Sequence, residues 1–225
     1  MTEPLIEATL PAPIEEVWAH LREPALVRRW FGWDYDGLEG EIEQIFVEQV
    51  NADWGAHTLR WEYDEQHGDR VELSPEGDDA TTLRLFRTAP EASEAAFDPI
   101  AEGWISFVQQ LSFALARHRG EDRRTLHGAS EQTRAVAESI GEAVDGAAGS
   151  RYETSTAPAG ALSGEVWFRT EHQLGLTVEQ LGDGLLVIAR TPAASEAARG
   201  AASLTLSAFG SHTDGLAERW KPLVE

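Results

Sequence analysis

The stretch from Asp98 to Leu115 constrains this chain more than any other. Asp98 before Pro99 places an N-cap carboxylate ahead of the residue whose missing N–H is no loss at the first helical position. Ile100, Trp104, Phe107, Val108, Leu111 and Leu115 then fall on one wide apolar face. A long helix with such a face must lie on something apolar, and a sheet with one buried side needs a cover of that breadth.

The preceding residues supply the material for that sheet. Residues 4–10 read as a strand stopped by Pro11 and Pro13. Pro13, Glu15 and Glu16 suit the start of a helix whose apolar stripe is Ile14, Val17, Trp18 and Leu21. Pro24 opens a second short helix, with Leu26, Val27, Trp30 and Phe31 as its stripe and Gly32 as its stop. Ile42–Val50, Thr58–Tyr63 and Thr81–Phe86 are strand candidates, separated by turn-rich clusters at Glu65–Asp69 and Ser74–Asp79. In the second candidate, Leu59, Trp61 and Tyr63 alternate with Thr58, Arg60 and Glu62, the period of a half-buried antiparallel strand. The predicted fold class is α+β in the helix-grip arrangement: a curved antiparallel sheet around a long C-terminal helix, with a cavity between them.

Residues Ile6–Gly32 resemble the opening of the START-like (SRPBCC) superfamily, most closely the branch named for the C-terminal domain of the Hsp90 ATPase activator. The matching residues are Val17-Trp18, Pro24, Leu26 and Trp30-Phe31, followed in the closing helix by Gly103-Trp104, Phe107 and Leu111. The resemblance covers about residues 4–118 and places a START-like domain over 1–118. It implies an apolar cavity for a lipid-like, polyketide-like or otherwise hydrophobic small molecule. The branch name implies a protein-interaction or chaperone-cofactor role as an alternative, although nothing before residue 4 corresponds to the activator's separate N-terminal domain. Some START-like proteins resemble cyclases, hydrolases or dehydratases, which keeps an enzymatic alternative open.

Residues 119–225 form a region of different character. Ser130–Val144 reads as a helix, Gly164–Val178, Gly184–Arg190 and Ala202–Phe209 as strands, and Asp214–Val224 as a terminal helix carrying Leu216, Trp220 and Leu223. This region is either a reduced second START-like module or an α+β extension of the first; no residue-level repeat at a fixed offset decides between them. The boundary falls near the polar run from Arg117 to Arg124.

Charge separates the two regions as well. The chain carries a net charge of −21, of which residues 1–118 hold −16, from 24 carboxylates and eight arginines. Six of the eight tryptophans lie in that part. An acidic balance argues against nucleic acid and against anionic membrane surfaces. The chain has no cysteine, so disulfides, thiolate nucleophiles and cysteine-based metal sites are excluded. Neither a secretory signal nor an apolar run long enough for a membrane span is present, and the expected compartment is the cytoplasm.

No motif for phosphate cradling, zinc hydrolysis, a nucleophile elbow or dinucleotide binding occurs, and no cofactor is expected. The acidic run Asp34, Asp36, Glu39, Glu41 and Glu43 lacks the spacing of a calcium loop and reads as a solvated loop and strand edge. The seven histidines are scattered, so no metal site is expected. The aromatics Trp30, Phe31, Trp33, Trp61, Tyr63, Trp104 and Phe107 sit on the elements that would surround the cavity, and are the candidate ligand-binding residues. Glu62 and His57 join them as polar candidates for orienting a ligand. No catalytic residue is assigned, although an enzyme would have to draw on Glu62 or His57. A protein partner or a homodimer is left open.

Overall fold

Leu10 of β1 (Ile6–Leu10) sits opposite Thr81 of β5 (Thr81–Thr88), so the first strand of the chain pairs with the fifth. In this computed structural model the described residues are 3–65, 67–88, 97–155, 160–193 and 200–224. They form two antiparallel sheets with helices, an α+β architecture. The chain divides into two units, Met1–Gly120 and Glu121–Glu225.

In the first unit the remaining strands are β2 (Val50–Asp53), β3 (Thr58–Glu62) and β4 (Gly68–Pro75), and the sheet order is β1-β5-β4-β3-β2. Between β1 and β2 come three short helices: α1 (Ile14–Arg22), α2 (Pro24–Val27) and α3 (Leu38–Glu43). After β5, α4 (Pro99–Arg117) runs with Asp98 as its N-cap; the Asp98 carboxylate accepts from the backbone N–H of Ile100 at 3.0 Å and of Ala101 at 3.2 Å. Trp104, Val108, Leu111 and Leu115 of α4 join Leu59, Val71, Leu83 and Leu85 of the strands, and Trp18, Trp30 and Phe46, in one core. Each fully buried apolar side chain of this kind contributes about 1.5–3 kcal/mol, which is why the helix is held on the sheet.

The second unit repeats the strand order. Its sheet runs β6-β11-β10-β9-β8-β7, built from β6 (Arg123–Gly128), β7 (Arg151–Thr154), β8 (Leu162–Arg169), β9 (Gln173–Val178), β10 (Gly184–Thr191) and β11 (Ala201–Phe209). In both units the first strand pairs with the last, and the other strands follow in sequence. A helix follows the first strand, α5 (Glu131–Ala143), and another closes the unit, α6 (Leu216–Val224). Ser130 and Thr133 form a reciprocal cap at the start of α5, and the Thr133 hydroxyl also donates to the Val224 carbonyl of α6 at 2.7 Å. Gly128 makes that closeness possible, since a Cβ there would lie 1.8 Å from the Val224 carbonyl oxygen.

Three expectations from sequence are corrected. Ile42–Val50 is not a strand: α3 continues into a wide π-turn over Gln44–Glu48, closed by Gln49 N–H to Gln44 O at 2.9 Å, and the strand starts only at Val50. Ile42, Ile45 and Phe46 lie at helical spacing, and burying Ile42 and Phe46 on one side outweighs the β-propensity of Ile and Val. The Glu65–Asp69 and Ser74–Asp79 clusters are turns only in part, because Gly68, Asp69, Ser74 and Pro75 belong to β4, a strand that carried no sequence expectation; residue 66 lies outside the described residues. In the second unit, the span Gly164–Val178 holds a turn at 170–172 that separates β8 from β9. The strands β6 and β7 carry no sequence expectation at all. Among the described residues no helix is long and apolar enough to cross a membrane.

Candidate functional site

The first unit contains a cavity of about 560 Å³, within the range of small-molecule pockets. One wall is the first three turns of α4, with Ile100, Gly103, Trp104 and Phe107. Opposite are the Phe31–Tyr35 segment, Glu41 of α3 and Ile45 of the π-turn, and Tyr63 just beyond β3. Gly32, which adopts a left-handed φ of +58°, turns the chain out of the helical segment after α2 so that Trp33 and Tyr35 reach the rim. Of the seven large apolar or aromatic side chains that are exposed among the described residues, four (Trp33, Tyr35, Tyr63 and Ile100) line this cavity. Such clustering marks a binding surface more than scattered surface residues do.

The π-turn fixes the floor. Its wider hydrogen-bond spacing frees carbonyls from the helical ladder, and side chains take them up. Trp61 Nε1 donates to the Ile45 carbonyl at 2.7 Å, and an Arg22 guanidinium N–H donates to the Phe46 carbonyl. Aromatic rings then stack outward from the core. Phe46 meets Trp61 at 5.9 Å, Trp61 meets Trp104 at 5.3 Å, and Phe31 meets Phe107 at 4.6 Å between centroids. Tilted and edge-on rings at these distances attract one another beyond their area burial.

Behind Trp104 lies a buried ionic network. Asp69 of β4 is flanked across the sheet by Trp61 and Arg87. Its side chain is fully buried, and it accepts from Trp104 Nε1 at 2.6 Å, from the Tyr63 hydroxyl at 2.6 Å and from Arg87 at 2.8 Å. Arg87 also donates to Asp98 at 2.8 Å, so the network ends at the N-cap of α4. Burial disfavours the charged form of Arg87, but its hydrogen bonds to Asp98 and Asp69 overcome that and hold the guanidinium above its ordinary range. At Asp98, burial pulls the other way, and its bonds to Arg87 and the backbone of Ala101 hold the carboxyl below its ordinary value. Burial, then the bond to Asp69, raises the Tyr63 phenol far above its usual range. On the opposite rim, the Tyr35 hydroxyl donates to Glu41 at 2.7 Å, and that bond pushes the phenol up to about 12.

The structure brings five of the nine candidates together around the cavity: Phe31, Trp33, Tyr63, Trp104 and Phe107. The other four lie elsewhere. Trp30 is buried one layer behind, stacked on Phe31 and Phe46, with its indole N–H donating to the His20 carbonyl at 2.8 Å. Trp61 backs Trp104. Glu62 and Arg60 line a separate, more polar hollow of about 410 Å³. His57, at a φ of 45°, pairs with Glu15 at 3.2 Å and sets its ring against Trp18. Sequence reasoning missed Gly32, Tyr35, Glu41, Ile45, Pro99, Ile100 and Gly103 as lining residues. Ile100 and Gly103 were legible as neighbours of Trp104 on α4, while Ile45 and Glu41 were hidden by the strand expectation over 42–50 and the reading of the acidic run as solvated. Among the described residues no group of three or more potential metal ligands gathers.

No family model matches the chain, and no curated protein matches it in sequence. Solved structures similar to it include the di-domain ARO/CYC protein StfQ from the steffimycin biosynthetic pathway, 12% identical, with a TM-score of 0.38 over 95% of this chain and 86% of that one. The di-domain ARO/CYC protein BexL from the BE-7585A biosynthetic pathway is 13% identical, with a TM-score of 0.33 over 95% of this chain and 86% of that one. DynU16, from the dynemicin biosynthetic locus, is 15% identical, with a TM-score of 0.31 over 97% of this chain and 91% of that one.

Proposed function

We propose that the first unit is a START-like module that binds a small, ring-bearing apolar molecule in the cavity between α4 and the Phe31–Ile45 segment. The observation that carries this reading is the cavity itself: about 560 Å³, with Phe31, Trp33, Tyr63, Trp104 and Phe107 on its walls and half-exposed aromatics at its mouth. The order of one strand, short helices, four strands and a long closing helix supports the START-like assignment alongside the residue pattern of 6–32. The shared strand order of the two sheets supports reading residues 121–225 as a second copy of the same topology. Glu62 and His57, on which an enzymatic reading would draw, lie off the cavity, so binding is the better-supported reading.

Gly103 provides the test. A Cβ there would sit 3.7 Å from Phe107, an ordinary contact, so a larger side chain enters the cavity without a backbone clash. Gly103→Leu is therefore expected to fill the cavity while raising helix stability by about 0.5–1 kcal/mol. The neutral dye N-phenyl-1-naphthylamine should show saturable fluorescence enhancement with the native chain and none with Gly103→Leu, at an unchanged or higher melting temperature. Equal enhancement by the two proteins would overturn the assignment.

A further inference from the structure

The polar groups around the cavity are not a mixed set. Its wall carries four side-chain donors, Trp33 Nε1 and the Tyr35, Tyr63 and Trp104 groups, and three of them are spent on carboxylates: Tyr35 on Glu41, and Tyr63 and Trp104 on Asp69. Once its proton is committed in this way, a phenol oxygen can only accept from a ligand. The start of α4 would ordinarily attract an anion, but Asp98 already occupies the N–H groups of Ile100 and Ala101.

Charge points the same way. Glu41 is the only ionisable acid or base on the wall among the described residues, apart from the two phenols, which stay neutral. No Arg, Lys or His lines the cavity among the described residues, and the undescribed stretches of this unit (1–2, 66 and 89–96) contain none in sequence. Arg87 is held between Asp69 and Asp98, and Arg28, on the neighbouring surface, between Asp34 and Glu39. An ammonium group offers three donors and no acceptor, which matches phenol oxygens, a carboxylate and the faces of Trp33, Tyr35 and Trp104. A carboxylate would meet like charge and no counter-ion.

Resting on the binding reading above, we infer that the cavity selects an aromatic or polycyclic apolar molecule carrying a protonated amine, with Glu41 as the group that recognises the charge. Isothermal titration of the full chain at neutral pH and 150 mM salt, with three probes sharing one ring system, tests it: naphthalene-1-methylamine, naphthalene-1-methanol and naphthalene-1-acetate. The amine is expected to bind about tenfold tighter than the acetate, with the alcohol between them. Glu41→Gln, whose amide oxygen can still accept from Tyr35, is expected to bring the amine down to the alcohol's affinity. Glu153→Gln, on β7 of the other unit, controls for the general pull of an acidic protein on cations and is expected to change nothing. Equal affinity for all three probes, or an amine preference that survives Glu41→Gln, overturns the charge selection while leaving the cavity reading standing. Failure of all three to bind overturns both.

Discussion

Trp104 on α4 donates its indole N–H to the carboxylate of Asp69 on β4 at 2.6 Å, so the closing helix is tied to the middle of the sheet by a charged hydrogen bond as well as by packing. A bond of this kind fixes the rotation of the helix, because an indole N–H has one direction. The same carboxylate holds Tyr63, and the two residues on either side of the cavity thus share one anchor.

Removing that anchor leaves a buried guanidinium, an indole N–H and a phenol short of an acceptor. Asp69→Ala is expected to lower stability by about 3 kcal/mol, the lower end for breaking a buried pair because Asp98 still faces Arg87. Urea denaturation measures it, and a loss below about 1 kcal/mol would show that the network is not a structural anchor.

Asp98 joins helix capping to acid stability. Its carboxyl titrates below the ordinary value in the folded chain, so its contribution is present above about pH 4 and is lost as pH falls through the lowered value. Asp98→Asn, which can still cap, should flatten the fall in stability between about pH 5 and pH 3. Asp98→Ala should cost a further ~1 kcal/mol at neutral pH through the lost cap. Identical acid-denaturation profiles for native protein and Asp98→Asn would contradict the assignment.

All three tyrosines, Tyr35, Tyr63 and Tyr152, are held protonated beyond their usual range, Tyr35 by its bond to Glu41 and the other two chiefly by burial. A raised phenol pKa contributes stability that is whole below about pH 10, the unfolded value, and is lost as pH rises through the folded value. Absorbance at 295 nm should therefore show little tyrosinate at pH 10.5 in the folded chain, and about three-quarters ionisation at that pH in 6 M guanidinium. Tyr35, with a value of about 12, should ionise first. Half-ionisation of the folded protein near pH 10 would count against these contacts.

In the second unit, Gly128→Ala should be costly although the change is one methyl group. The added carbon would meet the Val224 carbonyl and the Thr133 hydroxyl at once, and neither can move without displacing the α5–α6 contact. A loss of about 1–3 kcal/mol is expected from such overpacking, read as a lower denaturation midpoint. A neutral result would mean that α6 has room to shift.

Much of the first unit was legible because its signals are local. Asp98-Pro99 at the start of α4, the stripes on α1 and α4, and the alternation in β3 are each written within a few residues. The aromatic part of the cavity could be reached in the same way, by listing rings on the elements that must enclose it. Trp30 and Trp61 were indistinguishable at that level from Phe31 and Trp104: all carry the same chemistry, and only packing depth separates wall from core. The stretch 42–50 misled because Ile and Val favour strands in isolation, whereas burial against the core favours the turn that Phe46 makes.

By itself, the amino-acid sequence determined where α1, α2, α4 and α5 start, which of their faces are apolar and that the first unit is acidic outside and aromatic within. The tertiary structure alone decided that Asp69 lies opposite Arg87 and under Trp104, that Tyr63 shares its carboxylate, and that Glu41 turns toward the cavity. Apart from Tyr63 and Asp69, which are six positions apart, these relations join distant elements, with Arg87 18 and Trp104 35 positions from Asp69, so they depend on strand register and helix rotation. Those are set by the sum of many burials and by the cost of leaving a charge unpaired, and no short window of sequence contains that sum.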